Sequence, residues 1–332
     1  MLGSSREALC SAYDLAMLDL DGVVYVGGDA VPGAPDHLAG ARAAGMRLAF
    51  ITNNASRPSE QVAGHLRELG VEATAEDVVT SAQAAARLLL DRCGSGARVV
   101  CLGAEGLWQA LEADGLCPVG ADDDAVAVAT GYGPDVRWSE IMRVAVRIRD
   151  GLPWVASNTD ATFPAAFGVA PGHGVQVDML HRFSGVEPEI AGKPERPLFD
   201  ETVRRVGGRH PLMVGDRLDT DIEGAVNAGV DSLLVLTGVT GLAELVSAAP
   251  RLRPTYLAPD LAGLLTAHEA PTVEAGSVAL GGWRARADED RLQVRGEGSV
   301  ADWWRVVAVA GWTRLDAVGE PVDLSGVDVP AR

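Results

Sequence analysis

Residues 14–22 read DLAMLDLDG, a mostly apolar run that closes on two acids and a glycine. A short apolar run bounded by turn residues reads as a buried strand, here over 14–20, ending at Asp21-Gly22. Beyond it, β-branched runs alternate with helical patterns. A helix is expected over 35–44, a strand over 47–51, a helix over 59–69 that stops at Gly70, and a helix over 81–92. That alternation predicts an α/β fold.

A second α/β run follows, with strands over 98–102, 125–130 and 154–157 and helices over 105–113, 138–149 and 173–181. The first style then returns. A helix is expected over 197–206, a strand over 211–214, a helix over 221–228 stopped by Gly229, a strand over 232–236 and a helix over 242–248. From about Pro271 the composition shifts. Residues 283–298 are charged and strand-like, and 301–317 carry Trp303, Trp304 and Trp312 on a helical pattern. Those tryptophans read as packing residues, not ligand contacts.

The chain has 332 residues, which favours two domains over one. Its formal net charge is −18. A field of that sign repels nucleic acid and anionic membrane surfaces, so neither is expected as a partner. It also opposes anionic substrates. A phosphate site would need to be made locally positive by a metal ion, a lysine or backbone N–H groups. The N-terminus lacks the basic start and apolar run of a signal peptide, and no stretch is long and apolar enough for membrane insertion. Cys10, Cys93, Cys101 and Cys117 form no CxxC pair and read as reduced, mostly buried thiols. A soluble cytoplasmic protein is the natural expectation.

Four separated motifs carry chemistry, each at the end of an expected strand or the start of the next helix. In open α/β sheets that edge is where ligands bind. The first is Asp19-Leu20-Asp21-Gly22. Residues two apart on a strand share a face, so Asp19 and Asp21 can point into one crevice. Two carboxylates that close repel unless a cation or proton lies between them. The second, Thr52-Asn53-Asn54, offers a hydroxyl and amides to phosphate oxygens; the plainer alternative is a helix cap or an Asx-turn. The third, Gly192-Lys193-Pro194, places a point charge where glycine permits close backbone approach. The fourth runs from Gly215-Asp216 to Thr220-Asp221, and its hard oxygen ligands suit Mg²⁺. Asp219 there reads as an acid placed to favour the helix dipole.

In this order the four motifs resemble those of the haloacid dehalogenase superfamily of phosphatases. The stretch 19–33, DLDGVVYVGGDAVPG, and the TNN triplet at 52–54 look like the branch of NagD-type, 4-nitrophenylphosphate, phosphoglycolate and pyridoxal-phosphate phosphatases. Within that branch the chain is most similar to actinobacterial glycerol-3-phosphate phosphatases, which carry an added C-terminal segment. The resemblance implies a Rossmann-like core over 1–80 and 188–268, an inserted α/β cap over 81–187 that sets specificity, and a small C-terminal extension over 271–332 without an assigned role. The extension resembles a fragment of an acetyltransferase fold but lacks an acyl-CoA-binding Gly-rich loop, so no acetyl transfer is expected.

The resemblance further implies an Mg²⁺-dependent phosphatase. Asp19 would be the nucleophile, forming an aspartyl-phosphate, and Asp21 the general acid and base. Lys193, Thr52 and Asn53 would hold the equatorial phosphate oxygens, with Gly22 and Asn54 beside them. Asp19, Asp216 and the Asp21 carbonyl would hold the metal, and Asp221 would orient metal waters or Lys193 from behind. In the cap, the stretch with Asn158 and Asp160 would face the substrate. His173 stands where relatives often carry Thr and would tune leaving-group preference, unless it is a surface loop residue. Glycerol 3-phosphate is the favoured substrate, with phosphoglycolate, pyridoxal phosphate or a nucleoside monophosphate as alternatives. A phospho-acceptor receiver domain and a non-catalytic binding protein are the rivals from other classes. A homodimer is compatible with the sequence, which does not reveal the oligomeric state.

Overall fold

The computed structural model describes residues 1–330 apart from positions 166, 275 and 289, so the last two residues of the expected extension lie outside it. The chain divides into two compact units, one of residues 1–48 and 208–332 and the other of residues 49–207.

The first unit is built on four parallel strands in the order Tyr256–Ala258, Asp231–Val235, Pro211–Gly215 and Leu15–Leu18. Leu15–Leu18 is buried at every position, as a strand covered on both faces requires. It is shorter than the expected 14–20. After the Asp19 N–H the backbone leaves the ladder, and the N–H groups of Val24 and Tyr25 turn back to the Leu20 carbonyl. The two-residue alternation therefore does not reach Asp21.

The tail belongs to this unit. Four antiparallel strands, Thr272–Glu274, Ser277–Leu280, Trp283–Asp288 and Arg291–Gly296, meander into the helix Val300–Val318. Ser299 caps that helix, its hydroxyl accepting from the Asp302 N–H at 3.1 Å. Trp303, Val307 and Trp312 share one apolar cluster with Leu234, Leu257 and Ile222 of the sheet and its loops. The tryptophans pack, as expected, and Trp312 Nε1 donates to the Leu245 carbonyl at 2.7 Å. Arg305 is buried and donates to the Leu257 carbonyl and to His268 Nδ1. His268 Nε2 in turn donates to the Gly263 carbonyl at 2.8 Å, which identifies a neutral imidazole. Burial and the nearby guanidinium push its pKa down to about 4.

The second unit holds the parallel pair Arg47–Thr52 and Val78–Thr80, whose Phe50–Thr52 register belongs wholly to it, and a separate five-stranded parallel sheet. That sheet runs Glu189–Ile190, Trp154–Ala156, Ala127–Thr130, Arg98–Leu102, Cys117–Val119. The helix Trp138–Arg149 turns Val144, Ala145 and Ile148 onto it and leaves Arg143 and Arg149 exposed. An antiparallel hairpin, Thr162–Ala165 with Gly168–Pro171, was not foreseen; its strands are too short to show a period. The cysteines correct an expectation as well. All four are free, but only Cys10 is buried, and Cys117 is exposed. Among the described residues no helix is long and apolar enough to cross a membrane.

If the tail helix is an integral part of the first unit's core, Trp303→Ala should destabilise that unit by about 3–5 kcal/mol. The shift of its denaturant unfolding midpoint measures this, and a loss below about 1 kcal/mol would mean the tail is peripheral.

Candidate active site

In the first unit, three acids meet beyond the carboxyl ends of two neighbouring strands. The Asp19 N–H continues the parallel ladder, donating to the Val214 carbonyl at 2.9 Å. Ligand oxygens of Asp19, Asp216 and Asp221 lie within 4.8 Å of one another. Asp216 and Asp221 are fully buried, and Asp19 is half-buried. Charges that close, out of water, repel strongly unless a cation or proton compensates them. Carboxylate oxygens are also the hard ligands that Mg²⁺ takes, at about 2.1 Å. The residues present therefore fit a hard divalent cation.

The loop that carries Asp216 is held by its own backbone. One Asp221 carboxylate oxygen accepts from the N–H groups of Asp216 and Arg217, at 3.2 and 3.1 Å. Residues Leu218–Ile222 form a wide, π-type turn that brings Asp221 back beneath them. The helix expected over 221–228 thus begins as this turn and becomes α-helical only at Glu223–Ala228. Asp219 stays outside the cluster and pairs with Arg217 at 2.8 Å.

Three further residues shape the surroundings of Asp216 and Gly22 without any motif to announce them. The Val239 N–H donates to Asp216 Oδ2 at 2.6 Å, and the Thr237 hydroxyl donates to the Gly22 carbonyl at 2.5 Å. Gly238 lies against the Asp216 carboxylate so closely that a Cβ there would fall on it. A small residue after an apolar strand, Thr237-Gly238, was the only sequence signal.

Asp21 departs from its expected place. It is exposed, and its carboxyl lies outside the acid cluster. Partial removal of water around it still raises its pKa, against the lowering effect of a Gly27 N–H.

In the second unit, Lys193 is buried and its backbone is gripped by Asn53. Asn53 Oδ1 accepts from the Lys193 N–H at 2.8 Å, and Asn53 Nδ2 donates to the Lys193 carbonyl at 3.0 Å. The same Nδ2 donates to Asp160 Oδ1 at 3.0 Å. Gly192 makes the grip possible, since a Cβ there would lie 2.5 Å from Asn53 Oδ1. The Thr52 hydroxyl accepts from the Asn54 N–H, which leaves its own hydrogen available to donate.

Several expected substrate contacts need correction. Both hydrogens of the Asn53 amide are taken inside the protein, so its side chain is not available to phosphate. Asn54 follows the Asx-turn alternative, its Oδ1 accepting from the Ser56 N–H and hydroxyl. Asn158 is buried and spends its amide on the Asn53 carbonyl and the Asp160 N–H. His173 is buried too, so it is not a surface loop residue, and its Nε2 has no hydrogen-bond partner among the described residues. Its Nδ1 lies 2.9 Å from the Asn158 carbonyl and donates to it. Burial pushes its pKa down to about 4, so the ring is neutral.

Comparison with known proteins agrees with this arrangement. Residues 16–117 match the family described as haloacid dehalogenase-like hydrolase, and residues 190–264 match a HAD-hydrolase-like family. A D-glycerol 3-phosphate phosphatase of Mycobacterium tuberculosis is 46% identical over 259 residues, covering 78% of this chain and 72% of that one. An acid sugar phosphatase of Staphylococcus aureus is 33% identical over 251 residues, covering 75% and 95%. The crystal structure of a glycerol phosphate phosphatase from M. tuberculosis in complex with magnesium superposes with a TM-score of 0.85 at 40% identity, covering 95% of this chain and 94% of that one.

Two measurements test this geometry. Gly238→Ala should displace the Asp216 carboxylate and weaken Mg²⁺ binding by about tenfold or more in calorimetric titration. Unchanged affinity would remove Asp216 from the metal site. His173, with its pKa lowered from 6.5 to about 4, costs stability as pH falls. Its contribution is intact above pH 6.5 and is lost progressively down to about pH 4, because the unfolded chain takes up the proton first. His173→Asn, which keeps a donor for the Asn158 carbonyl, should flatten the pH dependence of urea unfolding there by up to about 1.4 kcal/mol per pH unit.

Proposed function

The chain belongs to the haloacid dehalogenase-like hydrolase family, and from that premise we propose that it removes phosphate from glycerol 3-phosphate with Asp19 as the nucleophile. Its class is that of the Mg²⁺-dependent phosphoric monoester hydrolases, acting on a small phosphorylated compound. The observation that carries the proposal is the convergence of Asp19, Asp216 and Asp221 at the end of the parallel strands.

Asp19 and Asp216 would hold the cation, with the Asp21 carbonyl. When bound, Mg²⁺ neutralises charge on the phosphoryl oxygens and so lets an anionic carboxylate approach an anionic ester. An Asp19 oxygen attacks phosphorus as the ester P–O bond breaks, leaving an aspartyl-phosphate. Asp21 gives its proton to the departing alkoxide. It then takes a proton from the water that attacks the aspartyl-phosphate, and the bond from phosphorus to the Asp19 oxygen breaks. Lys193 and the Thr52 hydroxyl stabilise charge on the equatorial oxygens. Asp221 braces the Asp216 loop through the two N–H groups it accepts.

Support for glycerol 3-phosphate comes from the relative of that activity, and from the magnesium-bound glycerol phosphate phosphatase, whose likeness covers 95% of this chain. The acid sugar phosphatase covers 75% of it. Residues 81–187 would act as the specificity-setting cap on a core of 1–80 and 188–268; four strands of the five-stranded sheet, Arg98–Leu102, Cys117–Val119, Ala127–Thr130 and Trp154–Ala156, fall within that cap range, while the fifth, Glu189–Ile190, falls just beyond it. A field of −18 favours a small, neutral-bodied substrate over nucleic acid. A cytoplasmic location is part of the same proposal.

Phosphate release with Mg²⁺ should give its highest kcat/KM on glycerol 3-phosphate, above phosphoglycolate, pyridoxal phosphate and nucleoside monophosphates. A higher value on any of these would replace the substrate. Asp19→Asn should keep the fold and lose at least about 10³-fold in kcat, and excess chelator should stop turnover.

A further inference from the structure

Asn53, Asn158 and Asp160 close a ring of hydrogen bonds. Asn158 Nδ2 donates to the Asn53 carbonyl at 2.7 Å, the Asp160 N–H donates to Asn158 Oδ1 at 3.1 Å, and Asn53 Nδ2 donates to Asp160 Oδ1 at 3.0 Å. The Ser81 hydroxyl also donates to the Asn53 carbonyl, at 2.6 Å, so residue 53 is anchored on its backbone as well. From that anchored position the amide grips both polar groups of the Lys193 backbone.

We propose that Asp160 is a positioning residue for Lys193, acting through Asn53. The inference rests on the reading of Lys193 as the phosphate-binding cation. An amide has one end that donates and one that accepts. Turned over, the Asn53 amide would set its oxygen against the Asp160 carboxylate and the Lys193 carbonyl, three acceptors with no hydrogen among them. The Asp160 carboxylate favours the orientation seen, through a hydrogen bond strengthened by its charge. His173 supports the ring from behind, since it donates to the carbonyl of Asn158. Asp160 leads directly into the hairpin of Thr162–Ala165 and Gly168–Pro171, whose Phe167 and Val169 are exposed. The stretch that sequence places against the substrate is thereby tied to the backbone of the lysine.

This assigns Asp160 a role that differs from substrate contact, and substitution separates the two. Asparagine at 160 keeps an oxygen to accept from Asn53 Nδ2, whereas alanine keeps none. Rates are measured with glycerol 3-phosphate and with 4-nitrophenyl phosphate, whose leaving group has no hydroxyls beyond the ester oxygen. A positioning role predicts that Asp160→Ala lowers kcat by about 10-fold to 100-fold on both substrates alike, with KM changed by less than about threefold. It predicts that Asp160→Asn recovers to within about threefold of wild type. It also predicts that Asn53→Ala and the double variant Asn53→Ala/Asp160→Ala are equally impaired, because both break one path. Should Asp160→Ala fail to fold, as its melting curve would reveal, Asp160→Ser takes its place.

Three results would overturn the proposal. One is Asp160→Asn being as slow as Asp160→Ala. Another is a loss confined to glycerol 3-phosphate with a raised KM, which would make Asp160 a substrate contact. The third is additive losses in the double variant. A wild-type enzyme that turns over 4-nitrophenyl phosphate but not glycerol 3-phosphate would end the substrate reading alone, and the 4-nitrophenyl phosphate comparison would still decide the role of Asp160.

Discussion

Mutual repulsion of three carboxylates is the constraint on which the first unit turns. Asp19, Asp216 and Asp221 bring their oxygens within 4.8 Å of one another, in a protein already carrying −18. Elementary electrostatics disfavours such a cluster unless something compensates it. Part of the compensation is built in: N–H groups of residues 216, 217 and 239 point at the Asp221 and Asp216 carboxylates. Backbone dipoles cannot move away or be deprotonated, so the acids stay poised. The remainder falls to a divalent cation, and the family and its magnesium-bound relative agree with that chemistry.

The same economy of backbone contacts governs the second unit. The protein grips the main chain at residue 193 with a primary amide, and glycine at 192 lets that amide come close. Polar side chains that sequence reading assigns to the substrate are spent on this scaffold. Asn53, Asn158 and His173 are all buried, and each pairs with backbone groups.

The tail is continuous with the first unit's core. Trp303 and Trp312 lie in the cluster that also contains Ile222, at the end of the turn carrying Asp221. The packing that stabilises the extension therefore also fixes the turn that braces the acid cluster. Arg305 adds polar ties to Leu257 and His268, and these need the imidazole neutral.

Much of this was legible in the residues themselves. The apolar run before Asp19 and the helical stop at Gly229 act on neighbours in the chain, so local pattern reveals them. The helices Glu105–Ala113, Trp138–Arg149 and Pro197–Val206 match expectation for that reason. Even the acid motifs declare themselves, because carboxylates at strand ends are costly without a purpose. The direction in which Asn53 and His173 point was decided only in three dimensions. Asn53 meets Lys193 across 140 residues and Asn158 across 105. A hydrogen bond between residues so far apart leaves no periodicity behind, and an amide that serves a backbone reads in sequence the same as one that serves a ligand.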